Sequence, residues 1–232
     1  MKTLVLTDNP QARELAAELN SRYGQIEVFQ SPRGPLEHVP RLNVRSQTSE
    51  IVANYGLVLS IHCKQLFPPA LVHAVRCVNV HPGFNPFNRG WFPQVFSILN
   101  GLKAGVTIHE MDEVLDHGPI IVQREYAIES WDTSASAYAN IMALERELLL
   151  EHFVAIRDRT YRTISPATEG NLNYKQDFEK LKQIDLDQQG SFRDFLNLLR
   201  AFTHGDYKNA YFEDASGRKV FARIVLEPED PA

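Results

Sequence analysis

Residues 57–81 read LVLSIHCKQLFPPALVHAVRCVNVH. Two apolar runs, LVLSIHC (57–63) and CVNVH (77–81), flank PPALVHAV (68–75), which opens on two prolines. Apolar runs without strict alternation suit strands covered on both faces, and prolines are at home in the first turn of a helix. Strand, helix and strand in close succession predict a parallel sheet with helices on both sides.

The pattern extends outward from this unit. KTLVLT (2–7) and IEVFQ (26–30) are predicted strands, separated by a helix over 9–19 with Leu15, Ala16 and Leu19 at helical spacing. Residues 31–45, with three prolines, read as a loop, and Ser46 to Ala53 as a brief helix. Further on come a helix over 91–101 ended by Gly101 and strands over 104–111 and 119–128. Thr133 to Arg157 is the best-formed helix, with Tyr138, Ile141, Met142, Leu148, Leu149, Phe153 and Ile156 as one apolar stripe. SPATEGN (165–171) breaks the alternation. Past it lie a helix over 192–202 and two alternating runs, 209–214 and 219–227, joined at ASG (215–217) as a hairpin. The expected organisation is an α/β core over 1–165 and a C-terminal helix and hairpin region over 166–232.

Bulk properties narrow the function classes. The 232 residues carry a net charge of −5, which argues against a general nucleic-acid binder. No apolar run reaches membrane-spanning length, and the opening residues do not form a secretory signal. Two cysteines, Cys63 and Cys77, cannot build a disulfide framework, so a reduced, cytoplasmic setting is expected. The first strand leads into TDNPQAR rather than a glycine-rich turn, so no dinucleotide cofactor is indicated, and Gly-x-Ser-x-Gly is absent.

Ligands of open α/β sheets bind outside the carboxyl ends of the strands. There Asn79 and His81, two apart on one strand, aim an amide and an imidazole to the same side. Asp116 sits in MDEVLDHGP (111–119), a loop from which a carboxylate could orient the imidazole. Base, amide donor and carboxylate together suit acyl transfer. Taken singly, each residue also fits a plain role: a solvated histidine, a turn aspartate. His62, Cys63, His73, Cys77 and His81 are metal ligands by type, but no C-x-x-C pair occurs and the cysteines sit among apolar neighbours, so no metal is expected.

NVHPG (79–83), NRGW (88–91), GVTIH (105–109) and DHGPI (116–120) resemble the folate-dependent formyltransferases. The longer phrases HPGFNPFNRGWFPQVFSI (81–98), EGNLNYK (169–175) and HGDYKNAYF (204–212) are similar to the sugar N-formyltransferases within that family. The likeness spans most of the chain and shows no departure at Asn79, His81 or Asp116. It implies a Rossmann-like core and a homodimer joined partly through C-terminal strands. It also implies N10-formyltetrahydrofolate as donor and a dTDP-linked amino sugar as acceptor, dTDP-4-amino-4,6-dideoxyglucose above others. By the same resemblance His81 takes the amine proton, Asn79 supports the developing oxyanion and Asp116 orients His81. Met111, Asp112 and Leu115 are expected at the folate, with Lys64 a further candidate. Asn88, Arg89, Trp91, Tyr174, Lys175, His204 and Tyr207 are expected at the sugar nucleotide, though Asn88 and Arg89 also read as a helix cap and the others as solvated surface.

Three rivals share the chemistry or the binding. Methionyl-tRNA formylation needs a basic platform, whereas residues 166–232 hold nine Lys and Arg against twelve Asp and Glu. A formyltetrahydrofolate hydrolase would use the same trio with water. A non-catalytic folate- or nucleotide-binding module would not need the trio intact. A 3-amino sugar, another amine acceptor, and uridine in place of thymidine remain open on physical grounds.

Overall fold

The computed structural model describes residues 2–229. Four parallel strands come first: β1 (Thr3–Leu6), β2 (Ile26–Phe29), β3 (Leu57–Ile61) and β4 (Arg76–His81), connected through α1 (Pro10–Tyr23), α2 (Thr48–Asn54) and α3 (Pro69–Val72). A two-residue strand, β5 (Arg89–Gly90), precedes α4 (Pro93–Asn100). Then follow β6 (Ala104–Glu110), β7 (Ile120–Tyr126) and the long α5 (Ser134–Asp158). The C-terminal region holds β8 (Leu172–Asn173), α6 (Lys175–Lys180), α7 (Phe192–Phe202), β9 (Tyr211–Glu213) and β10 (Lys219–Phe221).

The main sheet runs β2-β1-β3-β4-β6-β7. Its outer half departs from the expected all-parallel arrangement, because β6 pairs antiparallel with β4 and β7 antiparallel with β6. The chain between β6 and β7 contains no helix to carry it back across the sheet, and parallel pairing needs such a crossover.

Strand alternation splits the core into two layers. On one face Val5, Leu59, Val80 and Val106 pack with Leu15 and Leu19 of α1 and Leu148, Phe153 and Ile156 of α5. On the other, Leu4, Leu6, Val58 and Cys77 meet Leu42, Val44 and Ile51. A third cluster joins Val95, Phe96 and Ile98 of α4 to Phe178, Ala201, Phe202 and Ala210, so the C-terminal region is packed on the core.

The helices begin where their caps allow. Asn9 Oδ1 accepts from the amides of Gln11 and Ala12 at 2.8 and 3.1 Å, with Pro10 in the first turn of α1. Thr133 with Ser136 caps α5, and Ser191 with Asp194 caps α7, each as a reciprocal pair. The expected hairpin is present but shorter than the sequence pattern, pairing Glu213 with Lys219 and Tyr211 with Phe221. Past Phe221 the ladder gives way to single bonds, from the Ala222 amide to the Ala210 carbonyl at 3.0 Å and from the Ile224 amide to Thr203 Oγ1 at 3.1 Å. Two elements were not legible: α6, and the ladder that pairs Arg89 with Leu172 and Gly90 with Asn173.

Candidate active site

β4 delivers Asn79 and His81 to the carboxyl edge of the sheet on one side of the strand. The loop after β6 brings Asp116 against them. Its backbone takes φ +50, a left-handed value that Asp tolerates better than most residues. Asn79 Nδ2 donates to Asp116 Oδ1 at 2.9 Å, and the Gly90 amide donates to Asp116 Oδ2 at 3.0 Å. His81 Nδ1 lies 3.5 Å from Asp116 Oδ2. Asn85 fixes the loop from below, its Nδ2 donating to the Asp116 carbonyl at 2.8 Å.

The electrostatics favour a neutral base beside an ionised acid. Burial pushes the His81 imidazole below its usual pKa, further helped by His109, His62 and Arg89, while Asp116 pulls the other way. Burial also opposes the Asp116 charge. The adjacent His81 and His109 and the Gly90 N–H outweigh it and hold the carboxyl at about 2. His81 Nε2 is buried and has no hydrogen-bond partner. Gly83 makes room for this ring: a Cβ there would meet Nε2 at 2.4 Å. The HPG order of the sequence is therefore a steric requirement of the histidine.

His81 lines a cleft of about 920 Å³. Asn79, Asp116, Lys64, Leu115, Trp91, Tyr174, His204 and Tyr207 line it too. The other expected contacts lie elsewhere. Asn88 is fully buried and donates to Ser97 Oγ and Asn100 Oδ1, while its own Oδ1 accepts from Asn100 and Asn171. It ties the Asn85–Trp91 loop to α4 and to residues 171–173. Arg89 points inward, its Nη2 2.9 Å from Glu169 and its Nε and Nη1 without partners. Lys175 stands 5.8 Å over the Trp91 ring, outside the cleft lining. Met111 packs in the second core layer, and Asp112 accepts from His117 Nδ1 at 2.8 Å, so neither lines the cleft.

Asp8, His62 and Tyr138 line the cleft without having been expected there, and His109 and Glu145, outside its lining, support it. His109 donates from Nδ1 to its neighbour's carbonyl and faces Asn79 and Asp116 with Nε2 at 3.3 and 3.8 Å. Asp8, at the end of β1, accepts from Ser31 and from the Lys64 amide. Tyr138 belongs to the cleft wall rather than the apolar stripe, and its hydroxyl accepts from Asn9 Nδ2 at 3.1 Å. His62 bonds Glu145, which is fully buried. Glu145 had a signal, since it stands four residues from both Ile141 and Leu149, inside the buried stripe. The two cysteines are unpaired, and burial pushes the Cys77 thiol up to about 12. Among the described residues no group of three His, Cys, Asp or Glu side chains is placed to hold a metal ion.

Residues 3–153 match the formyl transferase family, and residues 177–228 the N-formyltransferase dimerization C-terminal domain. Over 232 residues the chain is 65% identical to a dTDP-4-amino-4,6-dideoxyglucose formyltransferase of Mycobacterium bovis, covering 100% of this chain and 99% of the relative. A crystal structure from Mycobacterium tuberculosis superposes with a TM-score of 0.98 at 64% identity, covering 99% of both chains. A formyltransferase from Anoxybacillus kamchatkensis, solved with UDP-4,6-dideoxy-4-formamido-L-AltNAc and tetrahydrofolate, superposes with a TM-score of 0.62 at 28% identity. That match covers 78% of this chain and 89% of the other.

Proposed function

The chain belongs to the formyl transferase family, as a sugar N-formyltransferase, and on that premise we propose that it formylates the 4-amine of dTDP-4-amino-4,6-dideoxyglucose. The observation that carries the reading is His81: a buried residue of the cleft wall, its pKa lowered by burial, with Nδ1 3.5 Å from Asp116 Oδ2 and Nε2 without a hydrogen-bond partner. The nature of the acceptor is supported by the Mycobacterium bovis relative. The nature of the donor, N10-formyltetrahydrofolate, is supported by the tetrahydrofolate complex of the Anoxybacillus kamchatkensis protein.

N10-formyltetrahydrofolate supplies the formyl carbon, whose bond to N10 breaks as the bond to the sugar nitrogen forms. The remaining chemistry falls to this chain. His81 Nε2 takes the proton that the amine sheds on attack and returns it to the departing nitrogen. Asp116 keeps the imidazole oriented and stabilises its charged form. Asn79 gives one amide hydrogen to Asp116 and has His109 Nε2 3.3 Å from the same nitrogen, and in this reading it exchanges the His109 contact for the formyl oxygen as that atom gains charge. A donor so placed is worth about 3–4 kcal/mol in comparable acyl transfer.

Leu115 and Lys64 are the cleft residues we assign to the donor. Trp91, Tyr174, His204 and Tyr207 are assigned to the acceptor, with Trp91 as a flat wall for the sugar. Lys175 acts on the acceptor through its contact with Trp91. Residues 1–165 carry the chemistry and 166–232 complete the cleft and join two copies, in line with the match to a dimerization domain. A cytoplasmic reaction is part of the same proposal; among the described residues no helix is long and apolar enough to cross a membrane.

The test is mass spectrometry of reactions with N10-formyltetrahydrofolate and a panel of 3-amino and 4-amino sugars on dTDP and UDP. One added formyl group on the dTDP 4-amino sugar is expected. Formate released without any formylated sugar would replace the transferase reading with the hydrolase.

A further inference from the structure

His62 is an ionisable group of the cleft that the chemistry above leaves unused, with its side chain 13% exposed. The strands β3 and β4 pair up to Ile61 and Val80, so His62 and His81 leave the sheet as lateral neighbours. Adjacent strands lie about 4.8 Å apart. His62 exits with φ +55, and its Nε2 lies 3.1 and 3.0 Å from the two carboxylate oxygens of Glu145. Glu145 has no other hydrogen-bond partner among the described residues. A carboxylate this deep is tolerated only against a cation. Burial alone would lower the His62 pKa, but the charge and hydrogen bond of Glu145 outweigh it and raise it. With Nε2–H given to Glu145, the imidazolium retains Nδ1–H, and the ring lines the cleft with its side chain 13% exposed.

The surroundings indicate which substrate this donor meets. Tyr138 stands edge-on to His62 at 6.3 Å, His204 lies 5.8 Å from Tyr138, and Tyr207 lies 5.7 Å from His204. These four rings make one wall, from the floor beside His81 to the exposed Tyr207 at the mouth. That wall belongs to the acceptor side. Lys64, assigned above to the donor, follows His62 by two residues, so the donor borders this wall at its floor; on the other flank β4 meets β6, which leads into the loop that carries Leu115 and Asp116. The Glu145 clamp removes the rotational freedom that a free histidine would lose on binding, so the donor is ordered before the ligand arrives.

We propose that His62, held by Glu145, is an acceptor-binding residue whose fixed Nδ1–H donates to a sugar or phosphate oxygen of the amino-sugar nucleotide beside His81. This rests on the formyl-transfer reading above. The pair differs from the trio in never touching the formyl group.

The experiment compares the wild type with Glu145→Gln and with the double variant His62→Leu/Glu145→Leu. The double change removes both buried charges at once, a replacement that is often neutral or stabilising, so the fold survives it. Each substrate is varied in turn, and acceptor binding is also measured by calorimetry without the folate. In the double variant acceptor affinity should fall at least tenfold while the folate KM stays within twofold. Glu145→Gln should give a smaller loss on the same side, because the imidazole is no longer locked as a cation. Unchanged acceptor affinity in both variants would reduce the pair to a structural role, and a shift confined to the folate KM would put it on the wrong substrate. Should the double variant not fold, Glu145→Gln decides on the same two KM values. A wild-type enzyme that formylates no amino-sugar nucleotide sinks the functional reading, and the role of His62 with it.

Discussion

Asp116 keeps its charge against burial because Asn79, Gly90 and two histidines converge on one carboxylate. Asp116→Asn removes the anion that supports protonated His81. Turnover should fall roughly 10²–10⁴-fold, the usual worth of a positioned acid–base group. Since the Asp116 charge raises the His81 pKa, its loss should move the acid limb of kcat/KM to lower pH. An unmoved limb would mean that the limb reports another group. The same carboxyl links to stability. Its folded pKa of about 2 lies below the ordinary 3.8, so its contribution is present above pH 3.8 and is lost as pH falls toward 2. That shift is worth ~2 kcal/mol, and urea melts of wild type and Asp116→Asn should converge over this window. The trio was legible in the sequence because alternation alone puts Asn79 and His81 on one side, and a Gly-Pro turn marks the Asp116 loop. Arg89 and Asn88 were misplaced because residue type does not say which way a loop side chain faces. Glu145 was hidden for the opposite reason: a carboxylate on a helix reads as surface until its partner, 83 residues away, is known.

At the scale of elements, the loop between β6 and β7 holds the acid in place through close backbone contact. A Cβ on Gly118 would stand 1.9 Å from the Glu110 carbonyl oxygen. Gly118→Ala must push the loop away from β6, carrying Asp116 off its donors. Overpacking of this kind costs roughly 1–3 kcal/mol, and kcat should drop well beyond what the lower Tm explains. A variant with a lower Tm and wild-type kcat would show that the loop is not held rigidly. The helix α5 makes the contrasting case. Phe153 is fully buried against both α1 and the sheet. Phe153→Ala should cost about 3–5 kcal/mol by denaturant melts, with kcat of the folded fraction unchanged. Most elements were legible because apolar runs, prolines and caps agree with one another. Strand direction was not, since periodicity is blind to it. The missing helix between β6 and β7 was the available cue for antiparallel pairing. The two-residue ladder β5–β8 lay beyond any pattern, because Arg89 and Leu172 meet only after the chain has closed on itself.

On the scale of the whole molecule, the C-terminal region faces two ways. Phe178, Ala201, Phe202 and Ala210 are buried against α4. Phe221, the last residue of the hairpin ladder, and Val225 beyond it remain 42% and 82% exposed. A two-stranded hairpin is marginal alone, and apolar side chains at its end gain most from a second copy. The match to a dimerization domain over 177–228 points to the same face. This face is also wired to the cleft. Arg223 Nη1 donates to the Gly205 carbonyl at 3.0 Å and to Asp206 at 2.9 Å, in the short turn between His204 and Tyr207. A partner that orders residues 219–227 would thereby steady both aromatic rings of the acceptor wall. The double variant Phe221→Asp/Val225→Asp should sediment as a monomer at micromolar concentration, where the wild type is expected to sediment as a dimer. Its α/β core should melt as a folded unit, its folate KM should hold, and its acceptor KM should rise several-fold. A monomeric wild type would remove the interface, and a monomeric variant with an unchanged acceptor KM would cut the link from the interface to the cleft.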